Sequence, residues 1–205
     1  MKINFFKLSF LALFIFLASC SNDDDATPTT TPVALETKTF SNLYAPQSGG
    51  QGQPTAGEFT KFSFAENAVV TNDNWDIAFR GTTLIVNGGT EIGIADEPTR
   101  TGVAAVSTLS SIFENVTAIP AAATFAQDGE GTYAFAEPWY DYNPTTHIIS
   151  PIAGKVYVVK TYNGKYAKFE ILSYYQNAPA NPDLTSPSRY FTFKYVYQPA
   201  SEANF

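Results

Sequence analysis

The segment VYVVKTYNGKYAKFEIL, residues 156 to 172, constrains the fold more than any other stretch of this chain. Two alternating apolar and polar runs flank Asn163-Gly164, a dipeptide that favours a two-residue type I′ turn because both central residues there need positive φ. Such a loop sets the register. It opposes Val158 to Phe169 and Val156 to Ile171 on one side of the ribbon. Tyr157 with Glu170, Val159 with Lys168, and Thr161 with Tyr166 share the other, more mixed side. A lone hairpin is marginal in water, so other strands must cover its apolar face.

Candidates for those strands are plain. RYFTFKYVYQ, residues 189 to 198, puts Phe191, Phe193, Tyr195 and Tyr197 on one face and Tyr190, Thr192, Lys194 and Val196 on the other. NWDIAFRGTTLIVNGG puts Trp75, Ile77 and Phe79 on one face, with Gly81 as a bulge or corner and Gly88-Gly89 as the strand's end. Residues 59 to 70 read as one strand with Phe62 and Phe64 inward, and residues 37 to 45 as a weaker one. Helical signal is scarce: Ser111 to Glu114 has capping-box spacing, but Pro120 limits it to a short helix or turn over 111 to 117. The stretch from 175 to 189 carries Pro179, Pro182 and Pro187 and reads as a long loop, the kind of segment on which binding tends to reside. The expected class is all-β: an antiparallel sandwich or open barrel with long loops and at most one or two short helices.

The N-terminus addresses the chain to a membrane surface. Lys2 and Lys7 precede an apolar run from Leu8 to Leu17, interrupted by Ser9, that is too short to span a bilayer and has the form of a signal peptide over residues 1 to 19. Leu17-Ala18-Ser19-Cys20 matches a bacterial lipobox, so Cys20 is the expected acylated anchor. Ser21 to Asp25 resembles the acidic signal that sends lipoproteins to the exterior face of the outer membrane. Residues 26 to 32 contain only Ala, Thr and Pro, which cannot form a core, so residues 20 to 34 are read as an acidic and Thr/Pro-rich tether. The folded domain is expected over residues 35 to 205. A formal net charge of −7 argues against nucleic acid as a partner, since phosphates need a field of Lys and Arg.

Residue counts exclude much chemistry. One histidine and one cysteine, the latter at the anchor, build neither a Cys-His dyad nor a multi-histidine zinc site. No Gly-x-Ser-x-Gly elbow presents a serine, and Gly49-Gly50 and Gly52 lack the strand and lysine of a phosphate cradle. No catalytic residue is assigned, and the chain is read as a non-enzyme. Most of its 12 tyrosines suit strand faces. Two clusters do not: Trp139-Tyr140-Asp141-Tyr142 and Tyr174-Tyr175, at element ends, are surfaces on which sugars or porphyrins dock. His147 has two readings, a hydrogen-bonding residue at a strand entrance or an axial ligand of haem iron.

Taken in order behind the lipobox, NWDIAFRGTTLIVNGG, GKVYVVKTYNGKYAKFEILSYY and YFTFKYVYQ resemble the HmuY family of outer-membrane lipoproteins, and the likeness runs from about Leu35 onward. The resemblance implies a β-rich domain that binds haem as cargo and hands it to a TonB-dependent receptor. Haem-binding members hold iron between two histidines or, in some, methionines. This chain departs from that pattern, because Met1 leaves with the signal peptide and His147 stands alone. If haem binds, His147 ligates by itself, or it pairs with a phenolate of Tyr140 or Tyr142, or the ring is held mainly by packing. The alternative is a binding module on the same scaffold for another tetrapyrrole or a glycan, without iron ligation.

Overall fold

Alternating sequence becomes thirteen strands in the computed structural model, which describes residues 35 to 205 except Gln51 and Ser201. The expected signal peptide, Cys20 and the expected tether lie outside the described residues. In chain order the strands are β1 (Thr37–Tyr44), β2 (Ser48–Gly50), β3 (Gln53–Ala56), β4 (Thr60–Ser63), β5 (Ala68–Val70), β6 (Ile77–Arg80) and β7 (Thr83–Val86). They continue as β8 (Ala105–Ser110), β9 (Tyr140–Asn143), β10 (Ile148–Pro151), β11 (Lys155–Lys160), β12 (Tyr166–Tyr175) and β13 (Ser188–Gln198).

Two antiparallel sheets face each other. One has the order β1-β13-β12-β11-β8 and the other β5-β4-β6-β7, while β2-β3 and β9-β10 form separate two-stranded ribbons. Neither large sheet closes into a barrel, so the all-β sandwich reading holds. Phenylalanines fill the gap: Phe62 meets Phe193 edge-on at 5.1 Å, Phe79 lies 4.8 Å from Phe191, and Phe64 lies 5.3 Å from Tyr195. Burying each such ring contributes on the order of 1.5 to 3 kcal/mol, so this interface dominates stability. The alternation read for residues 189 to 198 is observed, with Phe191, Phe193 and Tyr195 buried and Tyr197 packed against them. The outer face of the five-stranded sheet carries a second apolar cluster of Val156, Val158 and Val196 under Phe113. Lys168 is buried there and donates to the carbonyls of Phe113 (3.1 Å) and Val116 (2.7 Å). These belong to or adjoin a single 3-10 turn, Phe113–Asn115, and the Ser111 hydroxyl bonds the Ile112 carbonyl instead of capping it.

The β11–β12 hairpin is present with a register one residue away from the expected one. Tyr157, not Val158, opposes Phe169, and Val158 opposes Lys168. The cause lies in the turn. Gly164 N–H donates to the Thr161 carbonyl (3.0 Å), Thr161 N–H donates to the Lys165 carbonyl (2.8 Å), and only Gly164 in the turn has positive φ, at 82°. That is a type I turn followed by a left-handed glycine bulge, which lengthens the loop beyond two residues. Asn163 stays at negative φ, its side-chain oxygen accepting from the Thr161 hydroxyl at 2.9 Å. The shift sends Tyr157 and Val159 to the inter-sheet core and Val156 and Val158 to the outer cluster.

Two further readings are corrected. Residues 59 to 70 are a hairpin, β4 and β5, not one strand. Trp75 precedes β6, so strand alternation does not reach it, and it packs with Phe59, Ala78 and Ile85 away from Ile77 and Phe79. Gly81, at φ 56°, opens the two-residue Gly81-Thr82 loop that brings Arg80 opposite Thr83. At the other end of β6, buried Asp76 joins two turns: its carboxylate accepts from Phe64 N–H (2.7 Å) and from Tyr162 N–H (2.9 Å). Burial pushes the Asp76 carboxyl up to about 7, against the lowering effect of those amides.

Candidate functional site

His147 sits at the tip of the β9–β10 ribbon, where Ile148 pairs with Asn143 and residues 144 to 147 form the loop. The Asn143 side-chain oxygen accepts from Thr145 N–H (2.9 Å) and Thr146 N–H (3.1 Å), an Asx turn that bends the chain back. His147 then closes the loop at φ 57°, a left-handed conformation that costs an L-residue roughly 1 to 2 kcal/mol. The histidine does stand at a strand entrance. Its partner, though, is a side chain: His147 Nδ1 lies 2.5 Å from the Tyr142 hydroxyl.

That contact narrows the ligation options. Two donors on opposite sides of an iron stand roughly 4 Å apart, twice a metal–nitrogen bond of about 2 Å. In this arrangement the Tyr142 hydroxyl and His147 Nδ1 are a hydrogen-bonded pair, too close together to bind one ion from opposite sides. When Nδ1–H donates to the phenol oxygen, Nε2 presents a lone pair; with the opposite tautomer it carries a proton.

Tyr140 is not brought to this pair. It is half-buried against Trp139, with ring centroids 4.8 Å apart. Trp139, Tyr174 and Tyr175 are core residues: Trp139 packs on Tyr174 (5.5 Å) and Phe191 (5.1 Å), and its indole N–H donates to the Thr82 carbonyl at 2.9 Å. The Tyr175 hydroxyl accepts from Ile149 N–H at 3.0 Å, and burial pushes the Tyr174 hydroxyl up to about 12. The two aromatic clusters thus hold the ribbon onto the sandwich and offer no docking surface. Tyr142, 51% exposed, is the exception.

A cleft of about 680 Å³ opens beside the same ribbon. One wall is Asn143, Thr146, Ile148 and Ser150; the other is residues 180 to 185 of the loop joining β12 to β13. His147 lies between two lining residues without lining the cleft itself. Strand alternation accounts for this, because Tyr142 pairs with Ile149 on the ribbon face opposite Asn143 and Ile148. Leu184, on the loop wall, is 74% exposed, the highest value among the large hydrophobics of the described residues.

Unusual backbone fixes that loop. Asn177 (φ 60°), Ala178 (φ 45°) and Arg189 (φ 70°) are all left-handed at its base, and so is Asn42 (φ 60°) on the neighbouring edge strand β1. Asn42 Nδ2 donates to Asn177 Oδ1 (3.0 Å) and Asn177 N–H donates back to Asn42 Oδ1 (2.7 Å). Gln176 N–H bonds the Pro187 carbonyl at 2.9 Å, and Asp183 accepts from Thr185 N–H at 2.9 Å. The three prolines signal the loop in the sequence, and one of them, Pro182, lines the cleft; no local pattern marks the other wall residues or Ile148.

Other charged clusters are structural. Asp128 accepts from Val86 N–H and Ala134 N–H (2.9 Å each) and pairs with Arg100 (3.1 Å), which also pairs with Glu97 (2.9 Å). Among the described residues no three His, Cys, Asp or Glu side chains gather to hold a metal ion.

Comparison with known proteins agrees with the family indicated by the sequence motifs. The model of the HmuY protein family matches residues 56 to 195. No curated relative matches. Similar solved structures include a protein from Bacteroides vulgatus assigned as HmuY-like and heme binding, at 16% identity and TM-score 0.45, covering 80% of this chain and 91% of that one. The apo form of an HmuY analog from Tannerella forsythia is 14% identical with TM-score 0.43, covering 82% of this chain and 97% of that one. A protein from Bacteroides fragilis assigned as a lipoprotein is 17% identical with TM-score 0.43, covering 69% and 86% of the two chains. At such distances no residue here inherits a ligand role from theirs.

Proposed function

The chain belongs to the HmuY family, and from that premise we propose that it is a non-enzymatic, haem-binding lipoprotein of the outer-membrane surface. Anchored through acylated Cys20 and facing the cell exterior, it takes haem as cargo and passes it to a TonB-dependent receptor. One observation carries the binding reading: the cleft offers apolar surface on both walls, Ile148 on the ribbon and Ala180, Pro182 and Leu184 on the loop. A flat apolar ring slotted between them removes Leu184 from water at about 25 cal/mol per Å² of apolar surface. His147 supplies the imidazole at the cleft's edge, and Tyr142 is the acceptor that sets its tautomer with Nε2 free for iron.

A second reading has its own support. The imidazole is turned toward Tyr142, away from the lining face, which favours a ring held by the walls alone, with another tetrapyrrole as an equal candidate. A hemin titration of the chain from Ser21 onward, read in ferric and ferrous states with His147→Ala in parallel, separates the two. A saturable Soret change is expected. Loss of its ligand-type spectrum in the variant assigns His147 to iron, and survival assigns binding to packing. No saturable change removes the proposal.

A further inference from the structure

Resting on that tetrapyrrole reading, we infer that the cleft grips the apolar body of the ring and leaves its carboxylate edge in solvent. Haem carries two propionates, and a site that buries them needs cations or a dense set of donors. The lining of this cleft contains neither Lys nor Arg; its one charged group is Asp183. That carboxylate is held in place by Thr185 N–H (2.9 Å) and by the Thr185 (2.7 Å) and Ser186 (3.3 Å) hydroxyls. Those bonds also lower its pKa, so the rim charge is permanently negative at neutral pH.

Two cations on the elements that follow the ribbon and the loop have partners elsewhere. Lys155 Nζ donates to the Pro138 carbonyl at 2.6 Å, and the Arg189 guanidinium donates to the Gln47 carbonyl at 2.7 Å. The other polar lining side chains, among them Asn143, Thr146, Ser150 and Asn181, are neutral and bring no positive charge to a buried carboxylate. Propionates pushed inward would be desolvated without a counter-ion. The reverse orientation places the methyl and vinyl edge against Ile148 and Leu184 and keeps both carboxylates hydrated. The cleft therefore reads ring shape and apolarity, and it accepts a tetrapyrrole whose carboxylates are blocked.

The test compares hemin with iron(III) protoporphyrin IX dimethyl ester, titrated into the chain from Ser21 onward in one detergent-containing buffer, for wild type and Leu184→Asp. Dissociation constants for the two ligands are expected to agree within about threefold, a difference well under the 1.4 kcal/mol that corresponds to tenfold. Leu184→Asp, at an exposed position, is expected to weaken both ligands about tenfold or more with an unchanged far-UV circular dichroism spectrum. Hemin binding with loss of the ester overturns this inference alone. Leu184→Asp without effect on either ligand also overturns it, by removing the apolar wall from the site. Failure of both ligands to bind defeats the haem reading, and this inference falls with it.

Discussion

Two of the hairpins that end on a left-handed residue, β11–β12 and β9–β10, differ in which residue stands there. In β11–β12 it is Gly164, whose missing Cβ makes positive φ nearly free of strain. In β9–β10 it is His147, which accepts that conformation at a cost. The first hairpin is clamped on both faces, Tyr157 and Phe169 in the inter-sheet core and Val156 and Val158 under Phe113. The second is a two-stranded ribbon with an exposed tip and a cleft beside it. The scaffold hairpin uses the residue its geometry prefers, whereas the hairpin at the cleft carries the chain's lone imidazole despite strain. Backbone strain of that kind gathers at functional sites, and here it recurs at Asn177, Ala178 and Arg189 around the same cleft.

The contrast can be broken most violently at the centre of the scaffold hairpin. Phe169 touches Tyr157 at 5.0 Å and Phe64 at 5.7 Å. Phe169→Ala is expected to cost about 3 to 5 kcal/mol by denaturant unfolding, and a loss under about 1 kcal/mol would mean the hairpin is not a core element. Next comes the pH dependence of its turn, which Asp76 holds through Tyr162 N–H. Burial raises the Asp76 carboxyl from 3.8 to about 7 in the folded state. The native chain therefore keeps its proton after the unfolded chain has lost one, and this contribution to stability is full below pH 4 and fades as pH rises to about 7. Asp76→Asn should abolish that slope, measured as wild-type minus variant stability at pH 4.5 and 7.5; parallel curves would refute the assignment. The smallest effects sharpen the comparison itself. Gly164→Ala should destabilise by about 1 to 2 kcal/mol, whereas His147→Gly should change stability by less than about 1 kcal/mol. If both cost the same, the two turns are equivalent and the strain at His147 has no bearing on the cleft.

The strands were legible in the sequence because their signal is local. Phe191, Phe193 and Tyr195 alternate, and alternation is enough to place them on one buried face. Register was less so: Asn163-Gly164 promises positive φ at both residues, but the chain uses it only at Gly164, and one extra loop residue exchanges the faces of Tyr157 and Val158. Trp139, Tyr174 and Tyr175 looked like docking rings since they cluster at element ends. Register shifts along β12 and β13 accompany the burial of the two tyrosines, and Trp139 packs on Tyr174 and Phe191, a nonlocal outcome that no short window reports. The cleft was half legible. Prolines marked its loop wall, but the facing wall depends on which side of a four-residue ribbon Ile148 takes.

The reciprocal hydrogen bonds between Asn42 and Asn177 bear on the timing of the proposed capture. A loop of this length, free at its base, would have to be ordered at each encounter, and that entropic cost would appear as weaker affinity and slower association. Pinned to the edge strand, the loop wall acquires its order when the domain folds. Under the proposed function, association at the cleft would then be governed by diffusion and by shedding water from Leu184, and differences between ligands would be expressed mainly in how long each one stays.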